Sequence, residues 1–324
     1  MQLVLQKQNR KWINLFFLIC SVAFLFNRYF QSCRVPTKAT TFINFSPPNN
    51  NDLPLLNEGE FSVITYNIAG LPEVISSAIT ERSSSIKEIG RRVNPFDIVH
   101  VQEDFNYNSY LYKENEHPYK TKSKGGVPFG DGLNTLSRFP IIEMQRIPWN
   151  HCTGADCLTP KGFSYSKIEI AKGVYIDFYN VHANAEDDYD AAAARRKNME
   201  QLSDYIGQHS KNQSVIIMGD LNAHYRYSHD NVQKLLVENG LKDAWVTLKG
   251  NNIMPSISDY LKEDILALND DCESIDKILY RNSDRVLLRP KNYRFENVKF
   301  NNRLGLPLSD HCPVSLSFNW QIVY

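Results

Sequence analysis

From Phe61 onward the chain is a succession of short apolar runs, and few of them are separated by a helix. Runs rich in β-branched and aromatic residues read as strands. The pattern predicts strands over Phe61–Tyr66, Asp97–Gln102, Leu133–Ser137, Tyr165–Ile170, Val174–Val181, Ser214–Met218, Ile275–Tyr280 and Pro313–Phe318. Parallel neighbours need a crossover segment, usually a helix, so this order disfavours a fully parallel wound sheet and favours antiparallel pairs. Lys172-Gly173 is a hairpin turn, and Gly125–Gly132 a glycine-rich turn region. Ile86, Ile89 and Val93 share one face of a helix within Glu81–Val93, as do Met199, Leu202 and Ile206 within Glu186–His209. A third helix, Asn231–Asn239, is closed by Gly240. The expected class is a layered α/β fold with helices on its outer faces.

Upstream of Phe61 the composition is different. Lys7, Arg10 and Lys11 precede an apolar run, Trp12 to Phe26. Its length and flanks read as a signal-anchor within residues 1–30, with a cleaved signal as the alternative. A basic flank stays cytoplasmic, so the expected location is membrane-anchored with the catalytic domain extracellular or lumenal; secretion is the alternative. Residues 31–58, with Pro47-Pro48-Asn49, read as a linker, leaving 59–324 as the folded domain. Cys152 and Cys157 bracket a short polar turn. They can bridge in an oxidising compartment, and the same spacing suits zinc, although no second pair completes a structural site. Acidic and basic residues balance at 36 each, so no global charge draws the chain to nucleic acid.

Six short runs set polar residues at or just past the ends of these apolar stretches: Thr65-Tyr-Asn67, Val101-Gln-Glu103, Asn180-Val-His182, Gly219-Asp220-Leu-Asn222, Ser274-Ile-Asp276 and Ser309-Asp310-His311. Groups displayed at strand ends converge even when far apart in sequence. Asn67, Glu103, Asp220, Asn222 and Asp310 are hard oxygen donors of the kind magnesium takes. His182 and His311 titrate near neutrality, and Asp276 can orient one of them. Together they suit metal-assisted hydrolysis of a phosphoester. Taken singly, each is more often a turn residue, a solvated acid or a structural histidine; their co-occurrence in order is the signal.

That ordered set resembles the endonuclease/exonuclease/phosphatase superfamily over Phe61 to about Phe318. The resemblance implies a four-layer α/β sandwich, two mixed, mainly antiparallel sheets packed face to face with helices outside. It implies that Asn67, Glu103 and Asp310 serve a magnesium site, with manganese as the alternative metal. It implies that Asp220 and Asn222 hold the attacking water and phosphate, and that His182 contacts the phosphate or protonates the leaving group. His311, oriented by Asp276, acts as base or transition-state stabiliser; the water's proton goes to Asp220 or His311, without a choice between them.

The superfamily does not set the substrate. Asp156-Cys-Leu-Thr-Pro-Lys161-Gly162 resembles a Lys-Gly turn of neutral sphingomyelinases and makes Lys161 a candidate substrate contact; the plainer reading is a turn with Gly supplying positive φ. With the apolar segment, this tilts the expectation to a membrane phospholipid such as sphingomyelin. Gly125–Phe129 and Ile147-Pro-Trp149 are candidate bilayer-facing loops, or else pack beneath their neighbours. Two basic clusters, Arg195-Arg196-Lys197 and Arg289/Lys291/Arg294, keep a magnesium-dependent nuclease as the alternative, although such clusters are more often solvated faces. A non-catalytic, membrane-tethered binding module is the third reading; no obligate protein partner is indicated.

Overall fold

Strand β1 (Glu58–Asn67) divides its side chains between two layers, as a period of two requires. Phe61 and Val63 enter a core shared with the opposite sheet, where Phe61 meets Phe178 with ring centroids 6.3 Å apart. Ile64 and Tyr66 instead share a cluster with Ile86 and Ile89 of helix α1 (Arg82–Arg92). The structure is a computed structural model and describes residues 53–258 and 265–324. The segment read as a signal-anchor and nearly all of the linker lie outside the described residues. Among the described residues no helix is long and apolar enough to cross a membrane.

The remaining strands are β2 (Ile98–Gln102), β3 (Tyr119–Lys120), β4 (Asn134–Ser137), β5 (Ile141–Pro148), β6 (Gly162–Ala171), β7 (Val174–His182), β8 (Val215–Asp220), β9 (Lys242–Asp243), β10 (Asp276–Arg281), β11 (Val286–Phe295) and β12 (Val314–Ile322). The remaining helices are α2 (Asn108–Lys113), α3 (Tyr189–His209), α4 (Val232–Asn239) and α5 (Ala244–Leu248). One sheet has the order β11-β12-β1-β2-β4-β3, the other β5-β6-β7-β8-β10-β9. They form the four-layer α/β sandwich. Among the named strands the parallel pairs are β1 with β2 and β7 with β8, and each is joined by a crossover helix, α1 or α3. The other pairs are antiparallel.

Local chemistry sets the helix ends. Glu81 caps α1 by accepting from the backbone of Ser83 and Ser84. The second long helix starts at Tyr189 rather than Glu186, because the Asp188 carboxylate caps it. Gly240 closes α4 in the left-handed region, φ +61°. Cys152 and Cys157 are disulfide-bonded, in place of the zinc alternative.

One reading of a turn needs correction, and for Trp149 the packed alternative holds. Gly162 begins a strand: a Cβ there would lie 2.1 Å from the Ile147 carbonyl oxygen, so its missing side chain lets β5 approach β6. Trp149 is held in the protein. Its indole N–H donates to the His182 carbonyl at 2.7 Å, and its ring packs on Phe163. Phe129, by contrast, is exposed.

Gly219 is the tightest approach within the second sheet, where a Cβ would fall 2.0 Å from the Val181 carbonyl oxygen. Gly219→Ala is expected to cost about 1–3 kcal/mol by overpacking. A thermal melt checks this; an unchanged Tm means β7 and β8 are not so closely locked.

Candidate active site

The six polar runs meet on one rim of the sandwich. β1, β2, β7 and β8 end there, and β10 and β12 begin there. In the second sheet His182, Asp220 and Asp276 lie side by side in register across β7, β8 and β10. In the first sheet Asn67 closes β1, Glu103 follows β2, and Asp310 and His311 precede β12. Glu103 and Asn222 both adopt positive φ, +57° and +49°, a strained backbone for a non-glycine residue that turns the chain sharply at the rim.

A chain of close contacts links the two sheets. His311 Nδ1 lies 2.8 Å from Asp276 Oδ2, and its Nε2 is 3.7 Å from Asp220 Oδ2. His182 Nε2 is 3.6 Å from the same Asp220 oxygen and 3.9 Å from Glu103 Oε1. Asn67 Nδ2 donates at 3.1 Å to both Glu103 and Asp220. Its Oδ1 accepts from the Ala69 backbone. Asn67 thus turns its N–H₂ to both carboxylates. Asn222 bonds the Asp220 side chain through its backbone N–H and the Ala183 carbonyl through its amide.

The electrostatics follow from burial and charge. Burial disfavours the charged form of His311, but the carboxylates of Asp276 and Asp220 outweigh it and push its pKa up to about 10. Burial pushes Asp220 up to about 7, against the pull of the His311 charge. Glu103 is also raised, first by burial, with Lys161 opposing and Asp310 adding to it. His182 has two carboxylates within 4 Å, yet burial and the Lys161 and His311 charges hold it well below the ordinary histidine value. The two facts agree, since those carboxylates are themselves displaced toward their neutral forms.

Lys161 is nearly enclosed and pairs with Asp156 at 2.7 Å. Its charge is felt by Glu103, His182 and Asp220. The basic cluster at α3 does not form a free face: Arg195 is buried on Asp230, and Lys197 pairs with Glu200. In the other cluster Lys291 pairs with Glu60.

The donor set fits a hard cation. The Asp310 charge adds to the raising of Glu103, and among the described residues the partner of Glu103 at ion-pair distance is His182, which burial holds neutral. Asp220, Asp276 and His311 also bring ligand atoms within 4.8 Å of one another. There the His311 Nδ1–Asp276 Oδ2 contact engages one atom of each residue, and Asp276 Oδ1 has no hydrogen-bond partner among the described residues.

Beneath the rim lies a buried layer that the sequence reading did not assign. Gln102 donates to Asn180 at 2.7 Å and to Thr65 at 3.1 Å, and Asn180 donates to the Val101 carbonyl. Thr65 and Asn180 stand two residues before Asn67 and His182, so they share a strand face with them. That spacing was the available signal.

The description "Endonuclease/Exonuclease/phosphatase family 2" matches residues 65–255. The chain belongs to this family. A sphingomyelinase of Mycobacterium tuberculosis is 39% identical over 269 residues, 81% of this chain and 53% of that protein. The chain therefore spans about half the length of the curated relatives it matches. Sphingomyelinase C from Streptomyces griseocarneus aligns with a TM-score of 0.58 at 20% identity, over 80% of this chain and 99% of that one. A beta toxin mutant from Staphylococcus aureus, determined with bound magnesium ions, aligns with a TM-score of 0.55 at 18% identity, over 80% and 99%. These two likenesses concern the fold.

Proposed function

We propose that this chain is a metal-dependent phosphodiesterase that hydrolyses a membrane phospholipid of the sphingomyelin type by in-line attack of water. The observation that carries this is the run of contacts Asp276–His311–Asp220–His182 facing Glu103 on one rim. The sphingomyelinase relatives supply the substrate class.

Glu103 and Asp310 are the residues to hold magnesium, or manganese, which supplies positive charge against the phosphoryl oxygens. His311 already carries a proton at neutral pH, so it is a cation for the developing phosphoryl charge and not the acceptor. Asp220, poised near neutrality, takes the proton of the attacking water as the ester P–O bond breaks; the departing alkoxide takes a proton from solvent, and Asp220 returns its own to solvent. Neutral His182 donates an N–H to the phosphoryl group. Asn67 and Asn222 hold the Asp220 carboxylate in place, and Lys161 adds a second positive charge. The basic-then-apolar run before Phe26 and the Cys152–Cys157 bridge support a membrane-held, non-cytoplasmic domain.

The test is a substrate panel with and without Mg²⁺. Phosphocholine release from sphingomyelin vesicles is the expected result. Nicking of plasmid DNA with no lipid cleavage rejects the reading in favour of a nuclease.

A further inference from the structure

The two largest fully buried side chains of the described residues are both arginines, and they occupy corresponding places in the two halves of the sandwich. Arg82 opens α1, the crossover helix between β1 and β2. Arg195 lies in α3, the crossover helix between β7 and β8.

The Arg82 guanidinium spends its donors on backbone carbonyls of three segments. Nε bonds the Ala69 carbonyl at 3.0 Å; Nη2 bonds Ile68 at 2.8 Å and Leu308 at 3.0 Å; Nη1 bonds Thr80 at 3.1 Å. Ile68 directly follows Asn67, and Leu308 lies two residues before Asp310. Ser309 closes the same seam by donating to the Asn67 carbonyl at 2.7 Å. Arg195 repeats the device. Nη1 bonds the carbonyls of Asn184 and Glu186, just past His182, and Nε bonds Asp230 at 2.9 Å. The other Asp230 oxygen accepts from the His224 backbone, just past Asn222.

Strand-end loops at a buried rim leave carbonyls without partners, and a planar fork with five donors in fixed directions can serve several at once. Arg82 offsets the cost of its buried charge with bonds from all three nitrogens; Arg195 does so with the Asp230 carboxylate and two carbonyls, its Nη2 having no hydrogen-bond partner among the described residues. We propose that Arg82 and Arg195 are positioning residues, each stapling two of the loops that carry the site: Arg82 the Asn67 and Asp310 loops, Arg195 the His182 and Asn222 loops. The two staples differ in what they set. Arg82 fixes the Asp310 side of the donor set for the cation, whereas Arg195 fixes groups that face the phosphoryl oxygens. The effects on turnover rest on the phosphodiesterase reading; those on cation binding rest on the donor set alone.

The experiment compares Arg82→Lys and Arg195→Lys, which keep the charge and lose the fork. Mg²⁺ affinity is read by calorimetry and by the Mg²⁺-induced rise in Tm; kcat and KM are read on sphingomyelin vesicles. Arg82→Lys is expected to weaken Mg²⁺ binding about tenfold and to lower kcat about tenfold or more. Arg195→Lys is expected to lower kcat about tenfold while Mg²⁺ binding stays within about twofold. Should either lysine variant fail to fold, Thr80→Val and Asp230→Asn give milder versions with the same expected split. Thr80→Val removes the 3.3 Å bond from Arg82 Nη1 to Thr80 Oγ1 and the 3.0 Å bond from that hydroxyl to the Pro307 carbonyl. Folded variants with wild-type kcat and Mg²⁺ affinity overturn the proposal. So do equal Mg²⁺ shifts from both arginines, which indicate general loosening, and so does a wild-type chain that binds no Mg²⁺. If the wild type cleaves no phosphodiester but Arg82→Lys still weakens Mg²⁺ binding selectively, the staple stands and the phosphodiesterase reading falls.

Discussion

Asp220→Asn is expected to lower kcat about 1,000-fold while leaving the fold intact or slightly more stable. The substitution keeps the shape and one of the two acceptors, so either the Asn67 or the Asn222 bond is retained, and it removes the group that accepts the water's proton. Burial raises the Asp220 carboxyl to about 7 in the folded protein, against an ordinary value of 3.8. A raised carboxyl contributes its stability in full below the unfolded pKa and loses it as pH climbs through the folded one. Wild type therefore carries a growing penalty between pH 4 and pH 7 that the Asn variant lacks. The Tm gap in favour of Asp220→Asn is expected to be absent at pH 4 and largest at pH 8. His311→Ala is expected to lose as much activity and to lose stability too, because it strips the counter-charge from two buried carboxylates, Asp220 and Asp276. The combined variant should be no slower than either alone, since the two act as one unit. Turnover on sphingomyelin vesicles and melts across pH check all three. Activity of Asp220→Asn within tenfold of wild type removes Asp220 from the role assigned to it.

The sequence exposed the centre of this fold and hid its edges. The eight strands read from apolar pattern are β1, β2, β4, β6, β7, β8, β10 and β12, the interior strands of the two sheets. Such strands are paired on both sides and largely buried, so they carry apolar runs, as in β8, or apolar residues at alternate positions, as in β6 and β12. The four that escaped, β3, β5, β9 and β11, are the edge strands. β11 carries Arg289, Pro290, Lys291 and Asn292 with a bulge between Lys291 and Arg294, the composition by which edges avoid pairing with strangers. The site followed the same logic. Residues just past interior strands were legible as a set, because strand ends at one rim must converge. The orientation of Asn67 was not legible, since only the Ala69 N–H decides which end of the amide faces the acids. Nor were the arginines: Arg195 read as one member of an exposed basic cluster, and nothing in its neighbours Arg196 and Lys197 separates a buried guanidinium from a solvated one.

Asp276→Asn is the variant that tests the internal electrostatics of the site most directly. In the wild type, activity requires Asp220 without its proton and His311 with it. The rate is expected to rise with pH through about 7 and to fall again near about 10, a bell whose limbs belong to the coupled pair. A bound cation adds positive charge nearby and draws both limbs to lower pH without changing their order. The upper limb exists because the Asp276 charge and its 2.8 Å contact hold the proton on His311. Replacing that carboxylate with an amide removes the largest opposing influence to burial, and burial then drives His311 down. The upper limb in Asp276→Asn is expected to fall by at least about two pH units, which narrows the bell and lowers kcat at pH 9 about tenfold or more. Asp220 is also affected, but in the helpful direction: loss of the Asp276 charge lowers its pKa, which by itself widens the active window. A weaker hold on the His311 proton also lessens the pull of that charge on Asp220, so the narrowed bell reports on the pair. Titration of the His311 ring by NMR in wild type and variant reads the same shift without turnover. A wild-type His311 that titrates near 6.5, or a pH profile left unmoved by Asp276→Asn, ends the assignment of His311 as the site's fixed cation.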